Sequence, residues 1–239
     1  MLLQDVTGCS MGLNHSPSIV INGLVFYYDM FNTKKSWKGA PTTNILSNPG
    51  DLTLWNKSGG ITSVVGGYTA YDGSNAFLVT ANGTTNSYIH TSGDVISGNT
   101  YTKSVYAKAG TTGTLVFEMY DNNGAGGIAY FTTSFNLITG VVSSSATGNT
   151  SSIVAMGDGW YRCVVTRSFT STTINGTFYI GAYGAGTGTM YLKDPQFEQQ
   201  SLATPYVNGT RSNTQTILDL TNNNTITANS LTYNNDGTF

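Results

Sequence analysis

Charged residues are scarce in this sequence. Only 9% of its 239 residues are Asp, Glu, Lys or Arg, whereas an ordinary soluble domain contains about 25%. The ten basic residues are scattered, and a nucleic-acid-binding surface requires clustered lysine and arginine to displace counterions. We therefore expect no nucleic-acid partner.

Cysteine and long apolar runs are scarce as well. Cys9 and Cys163 are too few for a disulfide framework, and we expect Cys163 to be a reduced thiol buried in a strand. The longest apolar stretch, residues 23–28, is far shorter than the roughly 20 residues that span a bilayer. We expect neither membrane insertion nor a secretory signal, since the first ten residues contain no Lys or Arg.

Residues suited to catalysis are few. A glycosidase needs two carboxylates that face each other across a sugar, and the chain has only two glutamates, Glu118 and Glu198, which nothing in the sequence pairs. His15 and His90 lack a GxSxG partner motif, and no CxxC or HxxxH spacing indicates a zinc site. The sequence therefore predicts a protein that is not an enzyme.

Short β-branched and aromatic segments separated by glycine, asparagine and aspartate dominate the chain. Windows with apolar residues at helical spacing are absent, so the pattern predicts an all-β fold, a β-sandwich or jelly roll. The predicted strands are residues 24–29, 61–65, 76–80, 87–90, 101–108, 114–120, 129–136, 152–155, 160–169, 177–183 and 189–193. The predicted hairpin turns are Asp72-Gly73, Asn82-Gly83, Asn123-Gly124, Asp158-Gly159 and Asn175-Gly176, because these pairs supply residues with positive φ.

Alternation assigns faces within the strands. The pattern places Leu115, Phe117, Met119, Phe178 and Ile180 in the core, with Val116, Glu118, Tyr120, Tyr179 and Tyr183 on an outer or concave face. Sugars bind such folds through exposed aromatic rings and a few fixed polar groups. The candidate carbohydrate-binding residues are Tyr106, Lys108, Glu118, Tyr120, Tyr179, Tyr183 and Tyr191. The alternative interpretation is that these tyrosines cover an outer sheet or a subunit contact.

A series of local motifs resembles one group of domains. In chain order these are residues 43–48 (TNILSN), Trp55, residues 97–110 (SGNTYTKSVYAKAG), 129–131 (AYF), 139–141 (TGV), 157–163 (GDGWYRC), 196–198 (QFE) and 204–206 (TPY). Their order resembles the jelly-roll modules, similar to carbohydrate-binding modules, of bacteriophage tail and virion proteins. The resemblance implies a domain over residues 41–210. Lys103 stands where such modules carry an apolar residue, so we expect the core to be thin or open to solvent there.

The resemblance also implies a possible structural calcium ion. Modules of this kind often hold one Ca²⁺ on carboxylate and backbone oxygens near the first and last strands. Asp194 follows the last predicted strand, and Asp51 or Asp72 could approach it from the first loops. No other cofactor is expected.

The flanks resemble the start of a laminin-G/concanavalin-like sandwich, on residues 23–29 (GLVFYYD), 217–224 (ILDLTNNN) and 230–233 (SLTY). We therefore expect residues 19–40 and 211–239 to form a flanking β base into which the jelly roll is inserted. Because the sequence stops where the body of that sandwich would begin, either the natural chain continues past Phe239, which we favour, or residues 19–40 and 211–239 serve only as a short strand-paired base. We expect residues 1–18 to form an extended N-terminal arm that orders against a neighbouring subunit or the virion; the alternative is a disordered leader.

The combined interpretation is a non-enzymatic structural component of a tailed phage virion: a tail fibre, head fibre or capsid decoration. Its expected location is the virion, assembled in the host cytoplasm, and its expected partners are other virion proteins, with a homotrimer as the assembly. The alternative is an adhesin module that binds a host surface glycan.

Overall fold

A computed structural model of the chain describes residues 41–83, 87–122, 128–170, 177–182, 187–211, 216–218 and 225–227. The predicted N-terminal arm, the strand predicted at residues 24–29, His15 and Tyr183 lie outside these residues. Within them, no helix is long and apolar enough to cross a membrane.

The described residues form strands and one 3-10 helix, Leu52–Leu54. The strands are β1 (Thr42–Thr43), β2 (Asn56–Ser58), β3 (Ile61–Thr69), β4 (Asn75–Asn82), β5 (Ser87–Ser92), β6 (Thr100–Ala109), β7 (Thr114–Asn122), β8 (Ile128–Asn136), β9 (Val141–Ser145), β10 (Asn149–Gly157), β11 (Trp160–Ser168), β12 (Thr177–Ala182), β13 (Thr187–Glu198), β14 (Thr210–Arg211), β15 (Thr216–Leu218) and β16 (Thr225–Thr227).

Two six-stranded antiparallel sheets make up the body of the protein. The first sheet has the order β10-β11-β6-β13-β4-β3, and the second sheet has the order β2-β5-β12-β7-β8-β9. The chain forms the hairpins β3–β4, β7–β8–β9 and β10–β11 within one sheet and crosses between the sheets at its other connections from β2 to β13, as in a jelly-roll β-sandwich. The predicted all-β sandwich class is confirmed.

One apolar core fills the space between the sheets. The first sheet contributes Val105 and Leu192, and the second contributes Phe117, Ile180 and Phe135, all fully buried. The core residues alternate along their strands with residues that point away from it, as the pleat requires. The predicted core positions are therefore confirmed, and Cys163 is a buried free thiol as expected.

The two ends of the sandwich lie side by side. β1 pairs with β14 in antiparallel register, Thr42 opposite Arg211 and Thr43 opposite Thr210. A buried polar network fastens both ends to β13, because the carboxylate of Glu198 accepts hydrogen bonds from the Thr42 hydroxyl at 2.7 Å and the Thr204 hydroxyl at 2.7 Å. The chain thus enters and leaves the sandwich at one place.

The strands of the sandwich predicted from alternation are found, with bounds that differ by a few residues. Asp158 and Gly159 both have positive φ, 51° and 75°, and they join β10 to β11 as a primed turn. The pattern missed β1, β2, β9, β14, β15 and β16, which are two to five residues long. β2 and β9 are also rich in polar residues, a composition that alternation does not distinguish from loops.

Candidate functional site

A row of polar and aromatic residues crosses the outer face of the second sheet. Asn56 lies opposite His90, His90 opposite Tyr179, Tyr179 opposite Glu118, and Glu118 opposite Thr132. The five residues come from five adjacent strands, and their neighbours in sequence Ile89, Phe178 and Phe117 point into the core. We call these five residues the polar row. With strands about 4.8 Å apart, the row extends roughly 19 Å.

Tyr179 is the centre of the polar row. Its half-buried ring lies 5.1 Å from the His90 ring and 5.2 Å from the Tyr88 ring, centroid to centroid. The interplanar angle with Tyr88 is 60°, an edge contact, which holds the Tyr179 ring at a defined angle on the sheet. The arrangement presents an oriented aromatic surface between two polar neighbours.

Glu118 is the acidic group of the row. It is 9% exposed, and its carboxylate accepts hydrogen bonds from the Tyr88 hydroxyl at 3.2 Å and from the Thr132 hydroxyl. Burial raises the pKa of Glu118, while the Tyr88 hydrogen bond and the charge of Lys103 oppose that rise. Burial lowers the pKa of His90, which favours its neutral imidazole, able both to donate and to accept.

Lys103 lies directly beneath this site. It belongs to β6 of the first sheet, is 0% exposed, and extends through the core to the second sheet. Its ammonium group donates to the backbone carbonyl oxygens of Glu118 at 3.0 Å and Tyr179 at 2.5 Å. The Phe178 and Phe117 rings lie 3.8 and 4.6 Å from it. The expectation that the core is thin or open to solvent at Lys103 is wrong, because these groups enclose the cation.

The environment of Lys103 predicts a specific pH dependence of stability. Burial lowers the pKa of Lys103 well below its ordinary value, and the charge of Glu118 only partly opposes this. Between the folded pKa and the unfolded value of about 10.4, the unfolded chain binds more protons, so the free energy of unfolding rises with pH. Urea unfolding at a series of pH values up to about 10.4 should show the stability of wild type rising relative to that of Lys103→Met as the pH approaches this upper limit, by up to about 1.4 kcal/mol per pH unit. Parallel curves for the two proteins would contradict this.

Three of the predicted sugar-binding residues lie on the opposite side of the sandwich. Tyr106 and Lys108 on β6 and Tyr191 on β13 point outward from the first sheet. Tyr106 and Tyr191 belong to a small outer cluster around the buried Trp160; Tyr191 lies 6.4 Å from Trp160, and Tyr106 lies 5.9 Å from Tyr71. Because these rings pack against one another, the cluster attaches the β3–β4 loop to the first sheet. The seven candidates therefore do not form one site.

Tyr183 lies outside the described residues, and the other three candidates belong to the second sheet. Glu118 and Tyr179 meet in the polar row, and Tyr120 lies next along β7, opposite Tyr130 of β8. Tyr88 and His90 were not among the predicted sugar-binding residues. The sequence nevertheless indicated that Tyr88 and His90 face away from the core, because they alternate with the apolar Ile89 in β5. Alternation thus finds the outward residues but not the sheet to which they belong.

The carboxylates considered for calcium contact a lysine instead. The Lys193 ammonium group is 2.7 Å from Asp72 Oδ2 and 3.0 Å from Asp194 Oδ2. Asp51 caps the 3-10 helix by accepting from the Thr53 amide. Because the Lys193 ammonium group forms ion pairs with both Asp72 and Asp194, a calcium ion at Asp194 would compete with that lysine for the carboxylates. The described residues contain no group of three or more His, Cys, Asp or Glu side chains able to hold a metal.

The two glutamates lie on opposite outer faces. Glu118 points outward from the second sheet, whereas Glu198 is buried in the network that fastens β1 and β14 to the first sheet. Stacked sheets are about 10 Å apart even before the outward side chains are added. Glu118 and Glu198 therefore cannot flank one glycosidic bond as an acid and base pair.

Comparison with known proteins gives matches in structure only. No family model matches the sequence, and no curated protein matches it. Among solved structures, the xylan-binding domain of family 22 from Paenibacillus barcinonensis Xyn10C is 14% identical, with a TM-score of 0.44 over 68% of this chain and 95% of that one.

Two further matches are parts of larger chains. One is the Clostridium thermocellum xylanase 10B fragment with its family 22 and GH10 modules, 14% identical, with a TM-score of 0.43 over 73% of this chain and 30% of that one. The other is the enzymatically active domain of bacteriophage CBA120 tailspike protein 4, 12% identical, with a TM-score of 0.42 over 65% of this chain and 21% of that one.

Proposed function

We propose that the sandwich is a non-catalytic carbohydrate-binding module whose ligand lies along the polar row. The observation that carries this proposal is the register itself: five adjacent strands place an amide, an imidazole, a phenol ring, a carboxylate and a hydroxyl in one line. An extended ligand that crosses the strands would meet these groups in succession.

The chemistry of the row matches that of a sugar. A pyranose ring has an apolar C–H face, which packs on an aromatic ring such as Tyr179, and hydroxyls at its edge. Glu118 can accept from two hydroxyls, and His90 and Asn56 can both donate and accept. Because Glu118 and His90 are held in place before a ligand arrives, little side-chain entropy is lost on binding.

The charge of the row favours a neutral polysaccharide. Glu118 is the acidic member of the row, and no residue of the row carries a positive charge at neutral pH when His90 is neutral. An anionic sugar would bring its carboxylate or sulfate close to Glu118 without a cation to receive it, and like charges at such distances repel. We therefore expect uncharged glycans to bind and uronic-acid polymers to bind weakly.

The test is affinity electrophoresis with a panel of soluble neutral polysaccharides, followed by titration calorimetry on any that retard the protein. Tyr179→Ala should weaken binding by about thirtyfold or more, equivalent to roughly 2 kcal/mol, and Glu118→Gln should weaken it by about tenfold. Tyr191→Ala is the matched control, because it removes a half-buried tyrosine ring from the other outer face.

Two results would overturn this proposal. One is the absence of retardation by every neutral polysaccharide in the panel. The other is loss of binding in Tyr191→Ala with full binding in Tyr179→Ala, which would place the ligand on the first sheet.

We also propose that the module is displayed on a phage virion as a non-enzymatic structural component, in a homotrimer with other virion proteins around it. The adjacent ends, Thr42 opposite Arg211, support such a display because a domain inserted in a larger protein must leave and rejoin it at one place. Mass spectrometry of purified particles and light scattering of the isolated protein test the two parts. Absence of the chain from particles, or a monomer at micromolar concentration, contradicts the corresponding part.

A further inference from the structure

The pairing between β7 and β12 is short. It comprises Tyr179 with Glu118, Ile180 with Phe117, and Gly181 with Val116. Both strands continue beyond Glu118 and Tyr179, so this pair is where the ladder ends. The carbonyl oxygens of the same two residues receive the Lys103 ammonium group.

We propose that Lys103 is a positioning residue for the ligand site: it ties β7 to β12 from behind and thereby sets the spacing between Tyr179 and Glu118. The inference rests on the proposed carbohydrate-binding function and names a residue of that site which no ligand would touch. Lys103 lies on the core side of the second sheet, and the polar row lies on the other side.

The length of the side chain explains why a lysine is required. The partners of its ammonium group are backbone atoms of the opposite sheet, 15 and 76 positions away in sequence. Facing sheets are about 10 Å apart, a gap that the four-carbon stem of lysine bridges and that shorter polar side chains do not. The ammonium group has three donors, so one cation can bind both carbonyls at once.

The cost of burying this cation also argues for a role beyond stability. Taking an ammonium group out of water costs several kcal/mol even after the protein relaxes, and an apolar side chain of similar length would fill the same space without that cost. The position is surrounded by the Phe117 and Phe178 rings. What an apolar residue could not supply is the pair of donors to Glu118 and Tyr179 and the positive charge near the Glu118 carboxylate.

Two consequences follow for Lys103→Met. The end of the β7–β12 ladder loses the two hydrogen bonds from Lys103 to the Glu118 and Tyr179 carbonyl oxygens. The Tyr179 ring and the Glu118 carboxylate are then no longer held at a fixed spacing. The Glu118 carboxylate also loses a cation that favours its ionised form, so its pKa should rise. The first consequence lowers ligand affinity, and the second is measurable without any ligand.

The chain suits a direct measurement because Glu118 and Glu198 are its only glutamates. Protein labelled with ¹³C at the glutamate carboxyl carbon gives two side-chain signals, whose pH titrations are followed by NMR. In Lys103→Met the Glu118 midpoint should move upward by about half a pH unit or more. Affinity for the polysaccharide that binds wild type should fall by about tenfold.

Val105→Ala is the matched control. Val105 is the next inward-pointing residue of β6 and is fully buried, so its truncation lowers stability by creating a cavity. It leaves the hydrogen bonds from Lys103 to Glu118 and Tyr179 in place, and we expect the Glu118 midpoint and the affinity to remain as in wild type. Lys103→Gln, which keeps an N–H donor but not the charge, replaces Lys103→Met if that variant does not fold.

The outcomes separate this inference from the proposed function. If wild type binds a polysaccharide, and Lys103→Met binds it equally well with an unmoved Glu118 midpoint, Lys103 is not a positioning residue and the proposed function stands. The inference is also overturned if Val105→Ala reproduces the effects of Lys103→Met. If wild type binds no polysaccharide, the proposed function fails. The Glu118 titration then reports by itself whether Lys103 controls that carboxylate.

Discussion

Glu198→Ala is expected to lower the free energy of unfolding by about 3–5 kcal/mol. Glu198 is fully buried, and its two oxygens accept from the Thr42 hydroxyl, the Gln196 amide, and the amide and hydroxyl of Thr204. Truncation leaves the Thr42 hydroxyl and the Thr204 amide buried without an acceptor, whereas the Gln196 side chain and the Thr204 hydroxyl keep weaker alternatives. Each lost acceptor costs about 1–3 kcal/mol. Urea unfolding followed by tryptophan fluorescence measures the difference.

Gln200→Ala provides the comparison for Glu198→Ala. Gln200 also joins the end of β13 to the start of the sandwich, by donating to the Pro41 carbonyl at 3.0 Å, but it does so at the exposed surface. Its removal should change stability by no more than about 0.5 kcal/mol. If Glu198→Ala does not fold, Glu198→Gln gives the measurement. A loss below about 1 kcal/mol in either Glu198 variant would show that the buried network contributes little.

Gly181→Ala is expected to cost about 3 kcal/mol or more. Gly181 lies in β12 between Tyr88 of β5 and Val116 of β7. A Cβ atom at this position would overlap the Ser87 carbonyl oxygen and lie 2.9 Å from the Tyr88 Cα. Both are backbone atoms of the neighbouring strand, so no side chain can rotate away, and β5 must separate from β12. Thermal unfolding monitored by circular dichroism should show the loss.

The same substitution should also disturb the ligand site, because β5 carries His90 and β12 carries Tyr179. Gly66→Ala is a suitable control: its Cβ would meet the far end of the Phe77 ring at 3.2 Å, a side chain that can shift. We expect a small effect there, within about 1 kcal/mol. Equal losses for the two glycines would indicate that general chain stiffness, and not the close approach of β5 and β12, explains the result.

More of the fold than of the candidate site could be predicted from the sequence. Alternation within a strand depends only on the pleat, so the inward positions Leu115, Phe117 and Phe178 were predicted correctly. Which strands become neighbours is decided by contacts far apart in sequence, and nothing local distinguishes β6 from β7 in this respect. For that reason Tyr106 and Glu118, both outward-facing, were placed in one group although the core separates them.

Lys103 illustrates the same limit in another form. The alternation of Tyr101, Lys103 and Val105 already indicates that the lysine points inward. Its partners, however, are backbone carbonyls of the other sheet, and a backbone carbonyl has no signature in the sequence. From the sequence, a lysine at an inward position therefore suggests a defect in the core. In the structure, two carbonyl acceptors and two aromatic rings surround the Lys103 ammonium group.

The antiparallel ladder of Thr42–Thr43 with Thr210–Arg211 has a consequence for engineering. If residues 44–209 were a flexible loop, inserting them would cost a host protein roughly 4–5 kcal/mol of closure entropy. Here the folded module itself holds the two ends of the insertion together. The host needs to offer only a surface turn whose two arms stand one strand spacing apart. The module should therefore be transplantable into a hairpin of an unrelated scaffold, with its polar row carried along unchanged.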